Sequence, residues 1–145
     1  MDRLTSEQRS EVMSRVRGKD TRPELEVRRA AHALGLRFRL QRRDLPGSPD
    51  IVFPKARVAI FVHGCFWHQH PGCKRASMPA TRTEFWQTKL RRNVERDRRA
   101  IEALSALGWK TAVIWECETR SKEAICGRLR ELFYLHEHAP KGADQ

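Results

Sequence analysis

The chain has 145 residues, a length that suits one domain of ordinary size. It carries 29 Lys and Arg against 18 Asp and Glu, a net charge of +11, and 39% of its residues are hydrophobic. That fraction can form a compact core, which excludes a disordered basic tail, and no apolar run of about 18 residues exists that could span a membrane. The N-terminal residues lack the apolar segment of a secretory signal, so we expect a cytoplasmic protein at the nucleoid.

The positive charge falls in two blocks, which indicates a binding face for a polyanion, with nucleic acid as the first candidate. Residues 1–44 have 12 basic and 7 acidic side chains, and residues 74–100 have 9 and 3. Residues 45–73 and 101–145 are almost neutral. The alternative is a solvated helix surface, which we rank second because arginines outnumber acids in the second block: Arg91, Arg92, Arg96, Arg98 and Arg99.

Capping residues and hydrophobic spacing predict four helices, over about residues 6–17, 22–34, 83–107 and from 121 onward. Thr5 with Gln8, and Thr21 with Glu24, have the spacing of capping boxes. The first helix has a thin apolar side and is predicted to be an arm. The inward stripe of the third helix is predicted to be Trp86, Leu90, Val94, Ile101, Leu104 and Leu107.

Four strands are predicted, over residues 36–40, 50–53, 58–62 and 111–115. The run at 58–62 is continuously apolar and is expected to be central, and 111–115 is expected to be another buried strand. The order of elements indicates one α/β domain with a central mixed sheet flanked by helices. We divide the chain into a helical arm (1–20), a single domain (21–136) and a frayed tail (137–145).

Cysteines and histidines cluster after the central strand. The four cysteines are Cys65, Cys73, Cys117 and Cys126, and residues 65–73 contain two cysteines and two histidines. Cys117 ends a strand expected to lie beside the strand that ends at Val62. Three thiolates with one imidazole, from His70 or His68, would make a closed tetrahedral zinc site. On spacing alone, ordinary buried thiols remain an equal alternative, and Cys126 is interpreted as a core thiol.

Asp50 is the only acidic residue between Asp44 and Glu84, and it follows a proline at the start of a strand. A carboxylate in such a place can bind Mg²⁺. The alternative, slightly favoured on this feature alone, is an Asp that holds the turn through its own backbone. For Glu24 a capping role is sufficient, and a lone histidine after a buried strand, such as His63, is usually structural.

Five strings of residues, in order, resemble the very-short-patch-repair (Vsr) DNA mismatch endonucleases. They are LPGSPD (45–50), IFVHGCFWH (60–68), PATRTEFW (79–86), NVERDRR (93–99) and WEC (115–117). The resemblance covers about residues 13–132. It implies a restriction-endonuclease-like core and an Mg²⁺-dependent hydrolysis that nicks one DNA strand 5′ of the thymine in a T:G mismatch. Such mismatches arise by deamination of 5-methylcytosine.

The resemblance also implies roles for the chemical residues. Asp50 would be catalytic and bind Mg²⁺ together with the backbone carbonyl of Val62. His63 and His68 would be active-site histidines, with His68 activating water, and Glu24 would lie near the water network. The implied structural zinc ligands are Cys65, His70, Cys73 and Cys117.

For DNA binding, the resemblance implies that aromatic side chains wedge beside the mismatch, namely Phe66, Trp67 and Trp86. Met13 in the N-terminal helix would clamp the opposite groove. The basic blocks would hold the phosphate backbone, and we include Arg82, Arg91 and Arg92 in this surface.

The chain departs from the family pattern at two places. Val62 stands where a better-known relative has Thr, and the loop from His68 to Cys73 is one residue longer. The second acid and the lysine typical of the broader fold are also missing after residues 58–62, where His63 stands instead.

We expect a monomer that binds double-stranded DNA with a T:G mismatch and no membrane, and other repair proteins remain open as partners. Two alternative functions are a restriction-type nuclease on matched DNA and a zinc-stabilised DNA-binding module without catalysis.

Overall fold

The computed structural model describes residues 20–137, with side chains described to Phe133. The predicted first helix, with Met13, lies outside the described residues, as does the tail beyond Glu137. The proposed division into arm, domain and tail therefore stays a prediction. Within the described part of the chain, no helix is long and apolar enough to cross a membrane.

The described elements follow the predicted order. They are α1 (Arg22–Ala33), β1 (Arg39–Leu40), β2 (Ile51–Phe53), β3 (Val58–His63), α2 (Thr83–Ala106), β4 (Lys110–Trp115) and α3 (Lys122–Glu137). Two short 3-10 helices, Lys74–Ala76 and Glu116–Arg120, precede α2 and α3. β1 is shorter than predicted, and Leu40 at its end is 41% exposed.

The four strands form one mixed sheet in the order β1-β2-β3-β4. β1, β2 and β3 are antiparallel neighbours, whereas β3 and β4 are parallel and are connected through α2. The predicted mixed sheet and the central position of β3 are confirmed. The prediction that β4 is a buried strand was wrong, because β4 lies at the sheet edge and only Ile114 in it is fully buried.

Helices cover both faces of the sheet. On one face, α1 and α3 pack against alternate strand residues, in a cluster that includes Val27, Ile51, Ile60, Ile125 and Leu129. On the other face, α2 packs through Ala100 and Leu104 against Val52, Ala59 and Phe61. All six residues of β3 are buried, because successive side chains point to opposite faces and both faces are covered.

The inward stripe of α2 was predicted only in part. Leu90 and Leu104 are buried as expected, but Val94 is 42% exposed and Leu107 is 54% exposed. Seven-residue steps from Leu90 to Leu104 place Asp97 on the same helix face. The inward face of α2 therefore contains an acidic side chain, whereas the predicted stripe contained only apolar residues.

Gly47 packs where the loop before β2 touches both α2 and β3. Its φ is +73°, and a Cβ there would lie 2.5 Å from the Ala100 Cβ and 3.2 Å from the Phe61 ring. Gly47→Ala should lower the free energy of unfolding by about 2–4 kcal/mol, since left-handed strain and overpacking add. Urea denaturation measures the change.

Gly35→Ala is the matched control. Gly35 has a φ of +75° but nothing within 4 Å of the added Cβ, so only the backbone strain of about 1 kcal/mol is expected. Equal losses in the two variants would show that packing at Gly47 contributes nothing.

Candidate active site and metal centre

Asp50 bridges two strands rather than only holding its own turn. It precedes β2, and its Oδ2 accepts a hydrogen bond of 2.7 Å from the backbone N–H of Val62 near the end of β3. Burial, together with the nearby Glu24 carboxylate, raises the pKa of Asp50 to about 7, against the opposing effect of the Val62 bond. A carboxylate held in this way is poised to accept a cation.

The register of β2 and β3 places a proline opposite Val62. Ile51 pairs with Ile60, and continuing this register by two residues places Pro49 opposite Val62. In an antiparallel ladder, the N–H and C=O of one residue point to the same neighbouring strand. Proline has no N–H to donate, so it cannot satisfy the Val62 carbonyl on the side where Asp50 lies.

Glu24 contributes a second buried carboxylate. Its side chain is 2% exposed, and its Oε2 accepts hydrogen bonds from the Asp20 N–H at 2.8 Å and from Arg28 Nη2 at 3.3 Å. Burial raises its pKa, while the bond from Asp20 and the charge of Arg28 oppose that effect.

The predicted capping box is present only in half. The Thr21 hydroxyl accepts a bond of 3.4 Å from the Glu24 N–H, but the Glu24 carboxylate returns to Asp20 instead of Thr21. Capping therefore does not account fully for Glu24, whose side chain also interacts with Asp50.

A second group, on the face of the sheet that α2 covers, joins two histidines and an aspartate. The rings of His63 and His68 stack with centroids 3.8 Å apart and an interplanar angle of 4°. Asp97 Oδ2 lies 2.6 Å from His68 Nδ1, and Asp97 Oδ1 lies 3.9 Å from His63 Nε2. Burial and the neighbouring His68 lower the pKa of His63 to about 4, although Asp97 acts in the opposite direction. His63 is therefore neutral at neutral pH.

Asp97 is the site residue that the sequence reasoning missed. A usable signal existed, because an acid halfway between two leucines, seven residues from each, lies on the buried face of an amphipathic helix. Such a residue needs a partner, and the two histidines provide it. These two histidines, with Asp50 and Glu24, are the four predicted catalytic residues. The structure places all four side chains around the end of β3.

The predicted zinc ligands form one cluster. The ligand atoms of Cys65, His70, Cys73 and Cys117 all lie within 4.8 Å of one another. His70 Nδ1 is 3.7 Å from the Cys65 sulfur and 3.5 Å from the Cys117 sulfur. A tetrahedral site with Zn–S and Zn–N bonds of about 2.3 and 2.1 Å requires S···N distances of about 3.6 Å, so this donor set fits zinc through His70.

The parallel pairing of β3 with β4 brings Cys117 to this cluster. His63 and Trp115 are partners in the register, and the 3-10 helix Glu116–Arg120 then carries Cys117 to the loop after β3, as expected. Burial and the neighbouring thiols raise the pKa of Cys65, so a bound cation would be needed to stabilise its thiolate. Cys126, by contrast, packs in the core at α3, as predicted.

Trp115 connects the cysteine cluster to the histidine pair. Its ring stacks on His70 at 4.2 Å with an interplanar angle of 9°, and it meets His63 edge-on at 5.3 Å. The Trp115 ring is half-buried and separates two functional groups.

The aromatic residues predicted to wedge into DNA form a surface cluster. Ring centroids are 5.2 Å apart for Phe66 and Trp67, and Trp86 lies 5.5 and 5.9 Å from these two. The exposed Phe85 ring, which we did not predict, packs 5.3 Å from Trp86. Asn93 Nδ2 on α2 donates a bond of 3.1 Å to the Trp67 carbonyl and fixes the loop to the helix.

The arginines on α2 and at its N-cap differ in their surroundings. Those predicted to bind DNA are exposed, namely Arg82 at the N-cap and Arg91 and Arg92 on the helix. Arg98 instead pairs with Glu95 and Glu102, and Arg99 pairs with Glu95. For Arg98 and Arg99 these ion pairs fit the alternative interpretation as a solvated helix surface.

Comparison with known proteins agrees with this arrangement. The sequence profile of the family described as DNA mismatch endonuclease Vsr matches residues 1–75. The DNA mismatch endonuclease Vsr of Escherichia coli is 46% identical over 117 residues, which cover 81% of this chain and 74% of the relative. The chain belongs to the DNA mismatch endonuclease Vsr family. The resemblance inferred from the sequence motifs is thereby confirmed.

Other members of this group of relatives are named nicking enzymes. The type II nicking enzyme V.XorIIP of Xanthomonas oryzae pv. oryzae is 50% identical over 131 residues, 90% of this chain and 96% of the relative. V.NaeI of Lentzea aerocolonigenes is 40% identical over 135 residues, 90% of this chain and 79% of the relative.

Asp50→Asn should stabilise the fold at neutral pH. The folded chain binds the Asp50 proton more tightly than the unfolded chain, with a pKa of about 7 against an ordinary 3.8. The wild type therefore loses stability as the pH rises from about 4 to about 7, and the loss is complete above that range. The Asn variant avoids this loss, and its amide oxygen can still accept the bond from Val62.

Thermal unfolding in magnesium-free buffer at about pH 4.5 and about pH 8 measures this effect. The gain should appear only at the higher pH. Asp44→Asn is the control, because Asp44 is exposed and its bond from Arg42 lowers its pKa, so no gain is expected. A gain that is equal at both pH values would contradict a raised pKa for Asp50.

Proposed function

We propose that this protein is an Mg²⁺-dependent endonuclease that nicks one DNA strand 5′ of the thymine in a T:G mismatch. The observation that carries the proposal is the pairing of the Asp50 carboxylate with the end of β3, next to the His63–His68–Asp97 group. Membership of the DNA mismatch endonuclease Vsr family, and relatives named nicking enzymes, support DNA as the substrate. A restriction-endonuclease-like core is compatible with the mixed sheet.

The residues beside Asp50 fit a hard cation. Carboxylate and backbone carbonyl oxygens are the ligands that Mg²⁺ prefers, and Asp50 and Val62 would supply one of each. Glu24 adds a second negative charge nearby, which further disfavours an ionised Asp50 without a counter-charge. When bound, Mg²⁺ would neutralise charge on the scissile phosphate and on the leaving oxygen. Val in place of Thr does not matter for a ligand that is a backbone carbonyl.

His68 is the proposed general base. Its Nδ1 faces the Asp97 carboxylate at 2.6 Å, which fixes the proton on Nδ1 and leaves Nε2 free to accept a proton from water. His63 is neutral and stacks flat against His68, so it orients the ring without competing for the Asp97 charge.

Zinc has a structural role in this proposal. Its four ligands make a closed set, with no position left for a reacting water. Cys65 and His70 bracket Phe66 and Trp67 in the sequence, so the site would hold the wedge loop in a region that has little hydrophobic core of its own.

The wedge residues and the arginines account for DNA binding. Inserting aromatic rings costs a few kcal/mol per unstacked base step, and a T:G wobble pair is cheaper to distort than a matched pair. Arg82, Arg91 and Arg92 would bind phosphates in a salt-dependent manner. An enzyme of this kind would act on the bacterial nucleoid as a monomer, because the described chain carries both the proposed catalytic groups and the wedge.

The deciding experiment uses end-labelled duplexes that carry a single T:G pair in a panel of flanking sequences, with Mg²⁺ present. We expect one nick 5′ of the thymine, matched duplexes left intact, and a rate for Asp50→Ala that is lower by about 10²-fold or more. Equal cleavage of matched duplexes would favour a restriction-type nuclease. Binding without cleavage in any divalent ion would favour a non-catalytic module, and either result would overturn the proposal.

Asp97→Asn tests the role of His68. The substitution removes the charge that fixes the His68 tautomer, and we expect the single-turnover nicking rate to fall by about 10²-fold or more while affinity for T:G DNA is kept. Glu102→Gln on the same helix removes an exposed ion-pair partner of Arg98 and should leave the rate unchanged. An Asp97→Asn rate equal to wild type would exclude His68 as an Asp97-oriented base.

Cys117→Ala tests the zinc site. The variant should lose stoichiometric zinc, measured by elemental analysis, and should fold poorly because the loop loses a ligand. Cys126→Ala removes a core thiol outside the cluster and should keep its zinc. Normal zinc content in Cys117→Ala would refute the four-ligand assignment.

A further inference from the structure

A large open cleft lies at the end of the sheet that is remote from the proposed active site. Its volume is about 990 Å³, and it is bounded by the end of α1, the segment leading into β1, the β2–β3 turn and α3. The cleft reaches Phe53 and Ala56, whereas the proposed catalytic groups surround His63. Along β3 these two ends are separated by about 16 Å.

The floor of the cleft is aromatic. Phe53 is fully buried beneath it and packs edge-on against Phe38 at 6.1 Å and against Phe133 at 4.9 Å. Phe38 and Phe133 are half-buried, so the two rings are partly open to solvent. Three rings that fix one another in this way form a preformed apolar surface that can accept a side chain.

The rim of the cleft is cationic. Arg37, Arg39 and Lys55 are exposed around it, together with His32, and none of the described residues that line the cleft is acidic. An occupant that buries apolar groups on the floor would therefore bring its own negative charges to the rim.

We infer that this cleft docks an acidic peptide segment of a partner protein, with an apolar side chain on the Phe38–Phe53–Phe133 floor and carboxylates facing Arg37, Arg39 and Lys55. Duplex DNA fits this shape less well, because its phosphates lie on a convex, rigid surface and it has no apolar side chain to fill a concave floor. The site is separate from the proposed catalytic groups and does not depend on the proposed nicking activity. Binding there would leave the DNA face accessible.

Three synthetic peptides of equal length test the inference on the full chain. The first alternates Glu with Leu, the second replaces Leu by Ser, and the third replaces Glu by Gln. Fluorescence anisotropy measures affinity, and backbone NMR shifts locate the contact. We expect the first peptide to bind more tightly than both others by about tenfold or more, since apolar burial and charge pairing both contribute. The largest shifts should fall in residues 36–39 and 53–56.

The matched variants are Arg37→Glu with Lys55→Glu at the rim, and Arg120→Glu with Lys122→Glu as an exposed control of equal charge change at the start of α3. The rim variant should weaken binding of the first peptide by about tenfold or more, while the control keeps it. Thermal unfolding of each variant confirms that the fold is retained. Equal binding of the three peptides, or equal loss in the control, would refute the docking site. Competition of the peptide by matched duplex DNA, with weaker DNA binding by the rim variant, would instead assign the cleft to DNA.

Discussion

The hydrogen bond from the Val62 N–H to the Asp50 carboxylate is the contact on which the proposed chemistry depends. It attaches a residue that precedes β2 to the end of β3, at the point where proline interrupts the antiparallel ladder. Asp50 is also buried, and burial raises its pKa to about 7 although the bond from Val62 acts in the opposite direction. A carboxylate buried in this way is unfavourable in the empty protein and favourable beside a cation. The unfavourable burial of the Asp50 charge and the capacity of Asp50 to bind a metal ion therefore have the same cause.

Helix α2 organises the second half of the site. Its C-terminal half packs on the sheet through Ala100 and Leu104. The turns before that contact direct Asp97 to the histidines and Asn93 to the wedge loop, and Trp86 near the helix start meets the aromatic rings of that loop. Because one helix carries all of these contacts, a rotation of α2 would displace the proposed base and the proposed wedge together.

The sequence allowed correct predictions for those parts of the molecule in which functional polar residues do not interrupt the hydrophobic pattern. A continuous apolar run located β3, and the close spacing of cysteines and histidines in residues 65–73 suggested a metal site before its geometry was known. The prediction failed where polar residues face inward. Asp97 interrupts the apolar face of α2, whereas the apolar residues Val94 and Leu107, which were wrongly assigned to the interior, are exposed. The pairing of β4 with β3 was expected, but spacing along the chain does not determine that no further strand of the described sheet lies beyond β4, so its edge position was missed.

Trp115 lies between His70 and His63, and its position makes tryptophan fluorescence sensitive to the surroundings of these histidines. Three of the four tryptophans lie at the proposed functional groups. Trp67 and Trp86 are in the aromatic cluster, and the Trp115 ring contacts the imidazoles of His70 and His63. Trp109 is the exception and lies beneath the Arg57 guanidinium. Intrinsic fluorescence of the unlabelled protein should therefore respond mainly to changes at the cysteine and histidine cluster and at the aromatic cluster, rather than to changes in the rest of the fold. Time-resolved emission can separate the signals from these two places.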